Sequence, residues 1–270
     1  MSNFTEKEYS AIADLLKSAS GITLGADKRS LVQARLRKRL DEVQSPSVGA
    51  YLQRVQADAS GRELNTLIDL LSTNVTSFFR ESHHFDHLRD DFLAPRLADG
   101  DPSVMRVWSA ACSSGEEPYS IAMTFANTLG VERLRRFLVL ATDISHRMVA
   151  HARQATYEKH QLDTVPLKMR SDWTTPQSDG RYSISHSLKD RVQANRLNLL
   201  ERWPITKEFD VIFCRNALIY FDQALQQQLV RRFHNQLRPG GYFYIGHSES
   251  LTGLDHQFEF VKPTIYRKAS

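Results

Sequence analysis

"VWSAACSSGEEPYSIAM", residues 107 to 123, decides the fold. It begins as an apolar, β-prone run, passes through the small residues of "AACSSG", and sets Glu116 and Glu117 side by side ahead of Pro118. A strand that runs through such a turn into a helix is the first unit of an open α/β sheet. Ligands of these sheets bind outside the carboxyl ends of the strands, beside the reversal of strand order. The turn is not G-x-G-x-x-G and lacks the Lys and Ser/Thr of a P-loop, and two acids at a helix N-terminus repel phosphate. A cationic ligand is the better fit. The plain alternative is that both acids only cap the helix and complement its dipole.

Downstream the same alternation continues. The runs "FLVLATDI", "FDVIFCRN", "GYFYIGHS", "FEFVKP" and "TIYRK" are short and β-prone, with helical spacing between them, which predicts a largely parallel sheet covered on both faces. The helix "DQALQQQLVRRFHNQL" is expected to stop at the Pro-Gly-Gly of "LRPGG", where a strand starts. Residues 160 to 195 are polar and broken by Pro and Gly, and read as an insertion. Upstream, residues 5 to 95 carry helical spacing throughout, with no strand candidate between "YSAIADLLKSAS" and "HHFDHLRDDFLAPRL". A helical domain over 1–95 and an α/β domain over 96–270 follow, and 270 residues are enough for both.

Charge excludes little: 35 basic against 31 acidic residues give +4, too balanced to indicate bulk nucleic-acid binding. The N-terminal stretch has no basic flank leading into an apolar core, and no run approaches the roughly 20 apolar residues of a membrane span, so a cytoplasmic protein is expected. Cys112 and Cys214 end apolar runs and read as reduced, half-buried thiols rather than a disulfide. Asp143 closes "FLVLATDI" at the carboxyl end of the second strand, where a carboxylate can accept both hydroxyls of a ribose, although a strand-terminal Asp is also a common helix cap. With acids where phosphates would otherwise sit, the pair of features points to a nucleoside bearing positive charge. S-adenosylmethionine has ribose hydroxyls, an amino group, a sulfonium and no phosphate.

Four blocks make the reading specific: "NVTSFFRESHHF" (74–85), "RVWSAACSSGEEPYSIAM" (106–123), "FCRNALIYFD" (213–222) and "LRPGGYFYIGHSESL" (237–251). In this order they resemble the bacterial chemotaxis receptor methyltransferases, which methylate glutamate side chains of chemoreceptors. The resemblance covers nearly the whole chain. It implies a class I S-adenosylmethionine-dependent methyltransferase, a Rossmann-like mixed sheet preceded by an all-α domain and carrying a small β-subdomain inserted at about 160–195. It also implies cofactor contacts at Asn74, Thr76, Arg80, Glu117, Asp143, Asn198, Leu199, Asn216 and Ala217, with Arg80 and Tyr220 nearest the transferring methyl and S-adenosylhomocysteine as product. The residues alone do not choose Glu117 over Glu116; an acid suits the amino group, and amides such as Asn198 or Asn216 suit the adenine edge or the amino acid end. Arg80 could otherwise be a surface ion pair, and Tyr220 a strand-end aromatic.

A glutamate acceptor with a pKa of about 4.3 is already ionised at neutral pH and needs no general base. Catalysis is then expected to be mostly alignment, which can supply on the order of 7–11 kcal/mol. A site that strongly stabilised the acceptor carboxylate would slow the reaction, so Arg80 should orient weakly or hold the cofactor's own carboxylate. For the partner, "KRSLVQARLRKRLDEV" puts Lys28, Arg29, Arg35, Arg37, Lys38 and Arg39 on one helix, with Leu31, Val32, Leu36 and Leu40 as the buried stripe. A solvated face or a nucleic-acid contact would also explain such a strip. The resemblance favours the acidic methylation region of chemoreceptor cytoplasmic helices, met around residues 28–40, with no nucleic acid, no membrane insertion and a monomeric enzyme. Members of the resembled family that tether to a receptor's C-terminal pentapeptide do so through the edge strand of this subdomain and are expected to carry a loop richer in glycine than "TTPQSDGRYS", so the resemblance implies an enzyme that does not tether. His83 and His87, at i and i+4, have a spacing that can hold zinc, but no third ligand lies at a motif distance and no metal is expected. An RNA or DNA methyltransferase and a non-catalytic cofactor-binding adaptor are the rival readings. "CRNALIYFD" matches neither the Asn-Pro-Pro-Tyr nor the Pro-Cys pattern of the former.

Overall fold

The computed structural model describes residues 4 to 270; residues 1 to 3, where the expected helical domain begins, lie outside them. The first helices are α1 (Glu6–Ser20), α2 (Arg29–Glu42), α3 (Val48–Ala57) and α4 (Arg62–Leu71). Thr5 and Glu8 form a reciprocal cap at the start of α1, and Gly21 ends it with φ 76°. Ile12, Leu16, Val32, Leu36, Tyr51, Leu67 and Ile68 pack together as the core of this bundle.

A second helical run follows: α5 (His83–His87), a π-helical stretch (Leu88–Leu93) and α6 (Ala94–Ala98). Its Phe85, Leu88, Phe92 and Leu93 pack with sheet residues, not with the first four helices. By packing, then, the helical bundle ends ahead of α5 instead of at residue 95.

The remaining elements are β1 (Met105–Ala110), α7 (Glu116–Leu129), β2 (Phe137–Asp143), α8 (His146–Gln154), β3 (Thr156–Tyr157), α9 (Leu167–Trp173), β4 (Thr174–Pro176), β5 (Tyr182–Ile184), α10 (His186–Lys189), β6 (Val192–Arg196), β7 (Phe209–Phe213), α11 (Gln223–Gln236), β8 (Leu237–Tyr244), β9 (Phe258–Lys262) and β10 (Ile265–Lys268). The main sheet has the order β6-β2-β1-β7-β8-β10-β9. β6, β2, β1, β7 and β8 run parallel, while β10 is antiparallel to both of its neighbours. Alternate residues serve opposite faces: Val107, Val211, Phe213 and Tyr244 enter one core, and Trp108, Ile212 and Phe243 the other. Burial of both faces explains the near-continuous apolar runs.

Two expectations need correction. Residues 192–196, mostly assigned to the insertion, are edge strand β6 paired with β2; the half-exposed "VQANR" carries no apolar alternation to announce it. The small antiparallel sheet is β3-β5-β4, so the insertion begins at residue 156 and its strands end at 184. The Pro-Gly-Gly of "LRPGG" lies within β8, where the pairing jumps from Phe209↔Leu237 to Val211↔Tyr242, instead of forming a turn ahead of the strand. No helix of the described residues is long and apolar enough to cross a membrane.

The helical bundle sits over the carboxyl ends of the central strands. Asn198 Nδ2 donates to the Ala19 carbonyl at 2.8 Å, Thr23 N–H to the Tyr220 carbonyl at 2.8 Å, and Lys17 pairs with Asp222 at 2.9 Å. Gly21 fits against Leu225, where a Cβ would come within 2.5 Å of its Cδ2.

Candidate functional site

Strand order reverses between β1 and β7, because the chain goes outward from β1 through β2 to β6 before returning to β7 and β8. A cavity of about 540 Å³ opens there, within the range of about 300–1,000 Å³ usual for small-molecule sites. The bundle roofs it with Ile22, Lys28, Leu31 and Arg35, and the strand ends floor it with Ala111, Ser113, Asp143 and Arg215. Asn74, Thr76, Arg80, Glu117, Asp143, Asn198, Leu199, Asn216, Ala217 and Tyr220 all line this one space.

The turn in the opening stretch is strained in the way a ligand loop tends to be. Ala111 and Ser113 have φ of 70° and 49°, and Gly115, which precedes α7, has φ 104°. A Cβ at Gly115 would come within 2.6 Å of the Tyr157 hydroxyl and 3.0 Å of Ala152. Left-handed residues also fall at Phe79 and Glu81 on the 74–82 segment, and at Asn216 on the loop after β7.

The structure separates the two adjacent acids. Glu116 is buried away from the cavity, accepting from Ser114 Oγ at 2.6 Å and Gln161 Nε2 at 3.0 Å. Glu117 lines the cavity, accepting from Ser109 Oγ at 2.7 Å and Arg215 Nη1 at 3.1 Å. Burial pushes the Glu117 carboxyl above its ordinary value, although Arg215 and Ser109 pull it back. Asp143 accepts one backbone N–H on each oxygen, Ser113 at 2.8 Å and Ser145 at 2.9 Å. Burial raises it too, against those two bonds. Each carboxylate oxygen of Asp143 keeps a free lone pair, since it can accept about two hydrogen bonds. Two acids withdrawn from water at one cavity, Asp143 fully and Glu117 largely, are relieved by a ligand bringing a cation and hydroxyl donors, which is what a phosphate-free, cationic nucleoside offers.

Residues that sequence reasoning did not single out organise the rest. Arg215 is buried and bridges Glu117 to Glu81, at 3.0 Å from Glu81 Oε2, and its second Nη also reaches the Arg80 carbonyl. Burial pushes the Glu81 carboxyl up, but Arg215 and the His247 N–H bring it below its ordinary value. Glu249 is buried on the other side of the β7 loop and accepts the N–H groups of Asn216 (2.9 Å), Leu218 (2.7 Å), Ile219 (3.3 Å) and Gly246 (2.5 Å). It fixes the backbone that presents Asn216 and Tyr220. Arg215 and Glu249 stood inside "FCRNALIYFD" and "LRPGGYFYIGHSESL", but only their burial and their partners mark them.

Other expected residues play plainer parts. Asn198 has its amide committed to Ala19 and its oxygen to Leu200 N–H at 3.1 Å, so it ties the bundle to the sheet as well as lining the cavity. Asn74 donates to Ser72 Oγ at 3.2 Å, and its carbonyl accepts from Ser113 Oγ at 2.9 Å. Arg80 folds back on the Val75 carbonyl at 3.0 Å. Cys112 and Cys214 are fully rather than half buried, and burial pushes both thiols well up. His87 Nδ1 sits 2.7 Å from the Tyr244 hydroxyl, while His83 stacks on His247, so the i, i+4 pair is engaged separately.

The basic helix differs from its reading. Arg35 caps α4 by donating to the Leu70 and Ser72 carbonyls, and Arg39 pairs with Glu63 at 2.7 Å beside the Tyr51 hydroxyl. Arg29 pairs with Glu6 and Lys28 with Asp27. Of this strip, Arg37 and Lys38 are exposed and make no ion pair among the described residues. Val32 and Leu36 are buried as expected, but Leu31 is 42% exposed at the cavity.

Comparison with known proteins agrees with this geometry. Residues 7–72 match the family model described as CheR methyltransferase, all-alpha domain, and residues 74–267 match CheR methyltransferase, SAM binding domain. A probable chemotaxis protein methyltransferase of Rhizobium etli is 39% identical over 259 residues, covering 94% of this chain and 96% of that protein. The chemotaxis protein methyltransferase of Escherichia coli K12 is 37% identical, covering 97% of this chain and 91% of that protein. That of Borreliella burgdorferi is 34% identical, covering 98% and 95%. With an all-α bundle, a mixed sheet and a cavity suited to a cationic nucleoside, this chain belongs to the CheR methyltransferase family, the S-adenosylmethionine-dependent methyltransferases of chemotaxis.

Proposed function

We propose that the enzyme methylates glutamate carboxylates on the cytoplasmic helices of chemoreceptors, with the cavity at the β1/β7 reversal as its active site. The observation that carries this reading is that Glu117 and Asp143 line the same cavity. S-adenosylmethionine bound there supplies a methyl group on a cationic sulfur, activated toward an anionic oxygen. Glu117, kept ionisable by Arg215 and Ser109, would hold the amino group. Asp143, oriented by two backbone N–H groups, would accept the ribose hydroxyls. Asn74, Thr76, Asn198, Leu199, Asn216 and Ala217 would close the walls around the adenosine and amino acid ends.

No residue has to remove a proton, because the acceptor carboxylate is ionised already. The chain's work is therefore positioning and the exclusion of water. Arg80, partly exposed and spending one nitrogen on Val75, can orient a carboxylate without binding it strongly. Tyr220 adds a neutral hydroxyl at the same mouth. Arg80→Ala and Tyr220→Phe are expected to lower turnover with an unchanged melting temperature. The assay is transfer of labelled methyl groups to receptor fragments, read as methanol released in mild alkali. Base methylation would leave the label alkali-stable, an adaptor would transfer none, and wild-type turnover in both variants would remove Arg80 and Tyr220 from the mechanism.

We read the division between receptor-recognition bundle and methyltransferase domain as falling near residue 73, where the bundle core gives way to the loop that enters the cavity. The subdomain loop over 177–181 contains Gly180 as its one glycine, in keeping with an enzyme that works without a pentapeptide tether.

A further inference from the structure

Apolar side chains exposed together around one cavity mark an interaction surface, whereas single ones scattered over a surface need no explanation. Leu31, Val75 and Ile219 are 42%, 78% and 46% exposed, and all three line the cavity. A residue that both lines a cavity and meets solvent stands at its mouth. They come from three separate parts of the chain: α2 of the bundle, the 72–82 connector, and the loop after β7. The cations of the mouth stand with them: Lys28, one turn before Leu31, and Arg80, whose guanidinium bonds the Val75 carbonyl. Their side chains are 54% and 38% exposed. Asp143 is buried and the Glu117 side chain is only 12% exposed, and Asp27 is paired to Lys28. An apolar rim with Lys28 and Arg80 therefore surrounds an interior in which Glu117 and Asp143 stand with Arg35 and Arg215.

We propose that Leu31, Val75 and Ile219 form an apolar clamp for the methyl-accepting segment, which is an amphipathic acidic helix with aliphatic side chains three or four residues from the acceptor glutamate. This rests on the reading that the acceptor is a glutamate on a helix and names the surface that selects it. On a helix, residues at i, i+3 and i+4 share a face, so a glutamate that reaches into the cavity brings exactly those neighbours against the rim. Arg80 meets the acidic side chains beside them, and Lys28 does so by exchanging its exposed partner Asp27 for one of them. The clamp favours acceptors by their flanking aliphatic residues, in addition to their charge. The weak orienting role of Arg80 is then sufficient, because registration comes from the apolar contacts.

The test compares Leu31→Ser, Val75→Ser and Ile219→Ser with wild type on a helical receptor fragment. The KM for the fragment is expected to rise about five- to tenfold for each exposed substitution, equivalent to roughly 1–1.4 kcal/mol. The Kd for S-adenosylhomocysteine, measured by calorimetry, should stay within twofold. As a second arm that leaves the enzyme intact, serine replaces the aliphatic residues at i±3 and i±4 of the fragment. Wild type should lose the same factor on this fragment, and the rim variants should lose little more. Rim variants with an unchanged KM, or a wild type indifferent to the flanking residues, would overturn the clamp. Failure of wild type to methylate any glutamate-bearing fragment would instead strike at the function on which the clamp rests.

Discussion

Arg215→Met isolates the electrostatics of the site. The substitution keeps an unbranched apolar stem and removes the charge that lies 3.1 Å from Glu117 Oε2. Opposite charges about 4 Å apart interact by about 4 kcal/mol at an effective dielectric of 20, and a hydrogen bond to a charged group contributes roughly 1.5–3 kcal/mol net. Taking about 2 kcal/mol, the titration of Glu117 moves up by about 1.5 pH units, so the affinity for a ligand that presents a cation to it should fall by up to about thirtyfold at pH below the raised wild-type value and by progressively less above it. The sign follows from the acid's own titration. Burial already holds Glu117 above 4.5, and a cation binds its ionised form, so affinity is full above the raised value and declines as pH falls through it. Without Arg215 that value rises further, and the decline begins at higher pH. Calorimetric titration with S-adenosylhomocysteine between pH 5.5 and 8.5, below the variant's melting temperature, reads both effects. A loss of up to about thirtyfold that shrinks toward high pH supports the argument. Wild-type affinity with an unmoved pH profile refutes it, and a pH-independent loss would mean that Arg215 holds the ligand's carboxylate instead of tuning Glu117.

Three further outcomes follow from particular contacts. Gly246→Ala places a Cβ 2.3 Å from Asn216 Nδ2 and 2.8 Å from its backbone nitrogen, so the β7 loop must move; a stability loss of roughly 1–3 kcal/mol, seen as several degrees in thermal melting, should accompany lower turnover. Glu249→Gln replaces one acceptor oxygen with an N–H₂ that faces two of the four backbone donors, whichever way the amide is turned; a loss of about 1–3 kcal/mol in denaturant titration is expected, with turnover reduced because Asn216 and Tyr220 lose their fixed backbone. Arg39, then Tyr51, depress the Glu63 carboxyl below 4.5. Its contribution is thus present above pH 4.5 and lost as pH falls through the depressed value, so Glu63→Gln should be less stable than wild type at pH 7 and converge with it in acid.

What the sequence disclosed, and what it hid, divides along physical lines. Strands buried on both faces announce themselves as apolar runs, so β1, β2, β7 and the apolar half of β8 were legible. β6 was not, because an edge strand with one exposed face and the residues "VQANR" has no apolar signal to give. The small residues of 110–115 marked the ligand turn, yet the choice between Glu116 and Glu117 depends on the 100° step between neighbours on a helix, which only the docking of α7 resolves. Cations on α2 were visible as a group, but whether each faces water or a neighbour depends on α3 and α4. Hence Arg35 and Arg39 proved to be internal partners. Leu31 was read as core because helical spacing places it beside Val32, whereas the bundle leaves that edge of α2 open over the cavity. Long-range bridges such as Glu81–Arg215–Glu117 join residues far apart in the chain and have no local signature.

The central claim is that Glu117 and Asp143 together hold the cofactor, and titration calorimetry with S-adenosylhomocysteine addresses it most directly. Wild type should take up one equivalent per chain. Glu117→Gln and Asp143→Asn should each weaken uptake by about tenfold or more while the protein still melts cooperatively. Unchanged affinity in both folded variants would contradict the account.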